Sequence, residues 1–243
     1  AAYAFWICER LDHPQERVME LNSTDPLPAD LDPLHLVVLI AKAEPVAAER
    51  LPLFGINDGA YHQHADHPGL MTKREVRIQL LAELDLPRAG VLWDLGAGTG
   101  SVGLEALRLQ PVLQLYAVER RSGAVPLIQA NAERLAVQPA AVLQGDARSL
   151  LAELPDPDRV LLGGGGAARA ELLAALLPRL HPGGVVVIPL ATLEAVAELR
   201  PVLEAHGLQV SLMQLQVSRG MPLAGGTRLA PLNPVVVLRG CRA

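Results

Sequence analysis

Residues 91–107, VLWDLGAGTGSVGLEAL, hold the side chains best spaced for chemistry. An apolar run ends in Gly96-Ala97-Gly98-Thr99-Gly100 and passes directly into a helical pattern. Glycines at such a junction allow a tight turn and close approach of a ligand, and the helix start offers unpaired N–H groups. Two ligands compete for this spacing. Gly98, Gly100 and Gly103 fit the dinucleotide pattern G-x-G-x-x-G, but in that frame the second and third glycines fall in the helix. The other frame is D-x-G-x-G-x-G, with Asp94 at the strand tip. A carboxylate there repels a pyrophosphate and suits an ammonium or a sulfonium. Glu119 ends the next strand, placed to accept from both hydroxyls of a ribose. Asp146 follows the third strand, where an adenine amino group would arrive. Three acids closing successive strands favour S-adenosyl-L-methionine over a dinucleotide.

A second constellation occupies residues 62–77, HQHADHPGLMTKREVR. His62, His64 and His67 come first, followed by Lys73, Arg74 and Arg77. Converging histidines can bind a metal. Histidines of a solvated loop have no such role, and a basic helix start can form a lid over an acidic substrate. Lys73 and Arg77, four apart, share one helical face, and arginine can hold a carboxylate through two bonds. Arg74 projects elsewhere and is assigned to structure.

The elements that must position these groups follow from composition and periodicity. Half of the 243 residues are hydrophobic and 3% are aromatic, so a large core is built from Leu, Val and Ala. The net charge of −5 argues against a non-specific nucleic-acid binder. Cys8 and Cys241 sit at opposite ends without ligand-like spacing, and a reduced, cytoplasmic protein is the simpler reading. No apolar run reaches the length of a membrane span, and AAYAFWICERL lacks a basic leader. Without an initiator methionine, the chain is expected to begin inside a longer parent.

From about residue 70 the pattern is regular. TKREVRIQLLAEL reads as an amphipathic helix over Val76, Leu80, Leu81 and Leu84, with Thr72 as its N-cap. Strands GVLWDL, LQLYAVE, AAVLQGDA, DRVLL and GGVVVIPLA then alternate with helices, the last of which, LEAVAELRPVLEAHG, has a candidate break at Pro201. This predicts an α/β fold with helices on both faces of a parallel sheet. LQVSLMQLQVS and NPVVVLRG, joined by RGMPLAGGTRLAPL, add an antiparallel pair at one edge, for seven strands in all. Before residue 54, FWICERL reads as a helix end, ERVMEL as a short strand and PLHLVVLIA as a buried strand. These are too few to close a core. Leu36–Ile40 is therefore expected to pack on the main domain or another subunit, with a mobile linker around Ala43–Arg50.

Taken together, MTKREVR, WDLGAGTGSVGLEALR and LNPVVV resemble the decarboxylating precorrin-6B methyltransferase family of cobalamin biosynthesis, from Phe54 to the C-terminus. CERLDHPQERV and DPLHLVVLI are similar to the tail of the carbon-5 methyltransferase, which many organisms fuse ahead of it. The resemblance implies a class I, Rossmann-like methyltransferase domain at 54–243 behind a remnant at 1–53. It also implies methylation of carbon 15 with loss of the carboxyl group of the carbon-12 acetate, and a homo-oligomer, a tetramer. It places the cofactor against Thr72, the Gly96–Gly100 loop, Glu119 and Ala147. A macrocycle fringed with carboxylates needs several cations, so residues 62–77 are read as a lid. Tyr61, Lys73, Arg77, Gly164, Arg219 and Arg228 are the substrate candidates, no metal is expected, and the histidines stay unassigned. Gly164 belongs to a run of glycines at 163–166 that leaves room for a broad ligand. The rival readings are a class I methyltransferase of another small molecule, a non-catalytic cofactor-binding module and a nicotinamide oxidoreductase.

Overall fold

A computed structural model describes residues 3–21, 25–41, 47–64, 71–164 and 166–243. The chain divides into two compact units, residues 1–46 and 47–243. Among the described residues no helix is long and apolar enough to cross a membrane. Cys8 and Cys241 are both free.

The first unit is a three-stranded antiparallel sheet of β1 (Tyr3–Glu9), β2 (Arg17–Leu21) and β3 (His35–Ala41), in the order β2-β1-β3. The expected helix end at FWICERL is corrected here: Phe5–Glu9 is the central strand. Its Ile7 lies opposite Met19 on one side and Val37 on the other, so both edges of its backbone are paired. Within this unit Leu36 to Ile40 of β3 keep apolar side chains exposed.

The second unit opens with a single helical turn at Ala48–Arg50. Arg108 binds it, donating to the carbonyls of Ala48, Leu51, Pro52 and Leu53. Of the linker expected to be mobile, residues 43–46 lie outside the described residues, and Ala48–Arg50 is this ordered turn. The alternation then follows as α1 (Arg74–Glu83), β4 (Gly90–Leu95), α2 (Ser101–Leu109), β5 (Leu113–Glu119), α3 (Ala124–Arg134), β6 (Ala141–Gln144) and the short α4 (Ala147–Leu150). It continues through β7 (Arg159–Leu162), α5 (Arg169–Leu176), β8 (Val185–Leu190), α6 (Leu193–Ala205) and β9 (Leu208–Leu215). The hairpin β10 (Ser218–Leu223) and β11 (Gly226–Pro231) precedes the last strand, β12 (Val235–Arg242).

Seven strands form one sheet in the order β6-β5-β4-β7-β8-β12-β9. β6, β5, β4, β7 and β8 pair in parallel, and β12 alone is reversed, running antiparallel to both its neighbours, β8 and β9. The period of two along each strand sorts the core onto two faces. Leu92, Leu115, Ala117 and Leu161 meet Val76 and Leu80 of α1, Leu104 of α2 and Ile128 of α3. Trp93, Leu95, Val118 and Val160 meet Leu173 of α5 and Leu199 of α6. Leu81 and Leu84 are buried as the helical spacing requires. Helix α6 runs through Pro201 without a break. The glycine-rich segment expected to be a plain connection is a hairpin. Ala224 and Gly225 both take positive φ, and Leu223 faces Gly226 across this two-residue turn.

Segment 54–61, α1 and α2 meet at a buried carboxylate. Glu105 is fully buried and accepts from the N–H groups of Gly55 and Ile56, the Tyr61 hydroxyl at 2.6 Å and Arg77 Nε at 2.8 Å. Arg77, also fully buried, donates further to Asp58 at 2.9 Å and to the carbonyls of Thr72 and Ile56. This corrects the lid: Arg77 faces the core and holds no substrate. Tyr61 is corrected likewise, since it is 4% exposed and bonded to Glu105. Burial and the Glu105 carboxylate push its phenol above its ordinary value, so it remains a donor. Thr72 does not cap α1; Lys73 is the N-cap residue and makes no side-chain cap bond. Arg74, assigned to structure, donates to the Gly55 carbonyl.

Removing one partner of a buried pair leaves an uncompensated charge. Arg77→Ala is therefore expected to lower the unfolding free energy by about 3–5 kcal/mol in urea titration. A rise in a substrate constant at unchanged stability would restore the lid reading. Because the second unit contains a complete sheet with both helical layers, a chain reduced to residues 47–243 is expected to keep the thermal midpoint of that unit in calorimetry.

Candidate functional site

The order of the sheet reverses between β4 and β7, each reached from the opposite direction, and ligand crevices form outside the carboxyl ends of strands at such a point. Here it opens a cleft of ≈ 740 Å³, of a size that suits a small-molecule ligand. Registers bring the contributors level: Leu95 lies opposite Val118 and Leu162, and Glu119 opposite Gln144. The loops that follow β4, β5, β6 and β7 therefore share one edge.

Gly96 shows why the first loop requires glycine. Its φ is +82°, and a Cβ there would lie 2.5 Å from the Gly164 nitrogen. The exit of β7 presses on the loop after β4, because Gly163 and Gly164 both donate to the Leu95 carbonyl, at 2.9 and 3.1 Å. Gly164 thus lines the cleft and also fixes the loop. Gly100, with left-handed backbone, is the N-cap residue of α2.

The three acids occupy three depths. Asp94 is 2% exposed and lies beneath the loop, its Oδ2 accepting from Gly103 N at 3.2 Å. Gly103 must be glycine, as a Cβ would lie 2.9 Å from that oxygen. Burial pushes the Asp94 carboxyl up to about 7; the Gly103 N–H opposes this and the Glu119 charge adds to it. Glu119 is half-buried on the cleft wall, its Oε2 accepting from Gly98 N at 2.9 Å and its Oε1 from Arg121 N at 3.0 Å. Each oxygen keeps capacity for a second donor. Asp146 is exposed and caps α4, its Oδ1 accepting from Arg148 N and Ser149 N.

Thr72, Gly96, Ala97, Gly98, Thr99, Glu119, Asp146 and Ala147 line this one cleft, while Asp94 and Gly100 support it without lining it. The donor set fits an adenosyl ligand with an amino-acid end. Thr99 is 1% exposed and its Oγ1 is buried on the cleft without a partner among the described residues, and Glu119 offers acceptors at the end of the neighbouring strand.

The substrate candidates disperse. Besides Tyr61 and Arg77, which are in the core, Lys73, Arg219 and Arg228 do not line the cleft. Arg219 of β10 pairs with Glu75 at 2.6 Å and Asp58 at 3.0 Å, and Arg228 is exposed on β11. Burial would raise the Asp58 carboxyl, but the Arg77 and Arg219 guanidiniums outweigh it and hold that carboxyl below the usual range. The cations that line the cleft are Arg120, Arg121 and Arg148, which the sequence reading missed. The adjacent Glu-Arg-Arg after an apolar strand was the available signal. Asn131 was missed as well. Fully buried on α3, it clamps the His62 backbone through two bonds, 2.7 and 3.1 Å, and holds the Thr99 carbonyl at 3.0 Å. His62 is exposed, His64 lines the cleft, and His67 lies outside the described residues. Among the described residues no three His, Cys, Asp or Glu side chains converge as a metal site would require.

Residues 63–242 match the family described as precorrin methyltransferase domain. The cobalt-precorrin-6B C(15)-methyltransferase (decarboxylating) of Salmonella typhi is 36% identical over 169 residues, covering 69% of this chain and 87% of that protein. The precorrin-6Y C(5,15)-methyltransferase [decarboxylating] of a Sinorhizobium species is 34% identical over 204 residues, 84% of this chain and 48% of its own length. The chain thus spans about half of that longer relative. Among solved structures, precorrin-6y C5,15-methyltransferase from Geobacter metallireducens superimposes with a TM-score of 0.74 at 31% identity, covering 79% of this chain and all of that one.

Asp94 generates a pH test. Its folded-state value near 7 lies above the ordinary carboxylate range, so the folded protein keeps a proton that the unfolded chain releases. That contribution to stability is present below about pH 4 and is lost as pH rises towards 7. Between those limits the wild type is expected to lose about 4 kcal/mol relative to Asp94→Asn, measured by urea unfolding of both proteins across the range. Parallel pH profiles would show that the carboxyl ionises as in the unfolded chain.

Proposed function

The chain belongs to the precorrin methyltransferase domain family, and from that premise we propose that it methylates carbon 15 of precorrin-6B or its cobalt form, using S-adenosyl-L-methionine, with decarboxylation of the carbon-12 acetate in cobalamin biosynthesis. The observation that carries the reading is the meeting of the glycine loop, Glu119 and Ala147 on one cleft in a chain of this family.

When bound, the cofactor supplies a methyl group activated by its sulfonium. Glu119 accepts from the ribose hydroxyls, Asp146 and Ala147 border the adenine, and the Thr99 hydroxyl and Thr72 receive the amino-acid end. Asp94 acts through Gly103, holding the start of α2 and with it the loop. The bridging carbon of a reduced tetrapyrrole is electron-rich and needs no strong base, so alignment and exclusion of water are the protein's main contribution. Arg120, Arg121 and Arg148 provide the positive charge at the cleft that a carboxylate-fringed macrocycle requires. Arg148 is held by an exposed pair with Glu171, which a substrate carboxylate can replace at little cost.

We place the protein in the cytoplasm as a homo-oligomer, a tetramer. The exposed Met221, Leu223 and Leu229 of the hairpin support a covered surface there. Residues 1–53 are read as the remnant of a preceding tetrapyrrole methylase domain, and methylation of carbon 5 is not assigned to this chain.

Glu119→Ala is expected to weaken S-adenosylhomocysteine binding by about 1–3 kcal/mol in calorimetry. NAD binding as tight as that of S-adenosylhomocysteine would overturn the cofactor assignment. Incubation with precorrin-6B, or its cobalt form, and labelled S-adenosyl-L-methionine should yield labelled product and carbon dioxide by mass spectrometry, and failure with both substrates would remove the proposed reaction.

A further inference from the structure

Three buried side-chain polar atoms lack a hydrogen-bond partner among the described residues: His64 Nε2, Thr99 Oγ1 and Arg242 Nε. Two of the three, His64 and Thr99, belong to the wall of the one cleft. A buried polar group left unpaired is destabilising, and it persists where a ligand completes it. Thr99 belongs to the glycine loop and serves the cofactor. His64 comes from a different segment, the chain ahead of Met71 and Thr72, and is only 8% exposed. Asn131 ties the chain two residues before it to the loop, binding both the backbone of His62 and the carbonyl of Thr99.

We propose that His64 is the acid that protonates the carbon from which carbon dioxide departs. This rests on the function proposed above and identifies a residue for it. Loss of the carboxylate breaks one carbon–carbon bond. The bonding pair stays with the organic fragment, delocalised over the conjugated ring, until it forms a new C–H bond. Carboxylate plus imidazolium thus gives a methyl group, carbon dioxide and neutral imidazole, and solvent restores the proton. No oxidant or other co-reactant enters.

The other groups at the cleft are less suited to this task. Glu119 and Asp146 are engaged as acceptors from backbone N–H groups. Arg120, Arg121 and Arg148 are suited to holding carboxylates through their guanidinium N–H groups. Asp94 is beneath the loop, and the Tyr61 hydroxyl is committed to Glu105. Imidazole is the commonest general acid among side chains, and Nε2 of His64 has no competing partner among the described residues.

The test uses the full chain, precorrin-6B carrying carbon-13 at the methylene of the carbon-12 acetate, and methyl-labelled S-adenosyl-L-methionine. Formation of the carbon-12 methyl group is followed by NMR and methyl transfer by mass spectrometry. In His64→Gln and His64→Asn, formation of the carbon-12 methyl is expected to slow by about 100-fold or more relative to methyl transfer. S-adenosylhomocysteine affinity should stay close to that of the wild type. An unchanged ratio of the two products would overturn the proposal. So would loss of S-adenosylhomocysteine binding or of folding in both variants, since His64 would then serve the cofactor or the core. A wild type that methylates neither precorrin-6B nor its cobalt form removes the proposed function, and this assignment with it.

Discussion

A carboxylate in the interior must gather enough donors to replace water, and Glu105 does so four times over. Its donors come from three places in sequence: the backbone at 55–56, the Tyr61 hydroxyl and the Arg77 guanidinium. Glu105 itself stands on α2, whose start carries the glycine loop. Satisfying one buried charge therefore ties segment 54–61 and α1 to the helix behind the loop. Thr72 and His64, on the chain between those two ties, come to the cleft as a consequence. A hydrophobic residue at position 105 would fill the space, but it would leave the Gly55 and Ile56 N–H groups and Arg77 without their acceptor.

The opposite side of the cleft rests on backbone contact. Gly96 meets Gly163 and Gly164 so closely that no side chain can separate them, and the Leu95 carbonyl takes both N–H groups. This closes the gap where the order of strands reverses and makes a continuous floor from β4 to β7. Glu119 and Asn131 join the floor to its surroundings, one through Gly98 N and the other through the Thr99 carbonyl. The loop is thus held by two buried or half-buried side chains and a neighbouring strand, so its backbone is fixed before any ligand arrives.

Charge is divided by place. Arg77 and Arg219 are consumed by Asp58, Glu75 and Glu105, which makes them part of the scaffold. Arg120, Arg121 and Arg148 stand at the cleft, where solvent and ligand reach them. Asp94, buried and with its carboxyl raised to about 7, is the group whose ionised form a cation above the loop would favour.

Much of this was legible in the sequence. Strict alternation of apolar strands with helical patterns led to the seven-stranded sheet, because periods of 2 and 3.6 are local properties of a chain. Gly96, Gly98 and Gly100 between a strand and a helix marked the loop, since few residues other than glycine accept positive φ. Acids at successive strand ends marked the cleft, because parallel strands bring their carboxyl ends to one edge. What the sequence left undecided concerned direction and partnership. Lys73 and Arg77 share a spacing that suits a lid, yet only packing against α2 shows that Arg77 turns inward to a buried carboxylate. FWICERL has no periodicity strong enough to exclude a helix, and it becomes a strand because β2 and β3 pair with both its edges. His62 and His64 look alike in sequence, but one is exposed and the other lines the cleft, a distinction that Asn131, far along the chain on α3, helps to set. Period and turn chemistry are written residue by residue; the partner of a buried charge is chosen by residues far away in sequence, and only the folded chain brings them together.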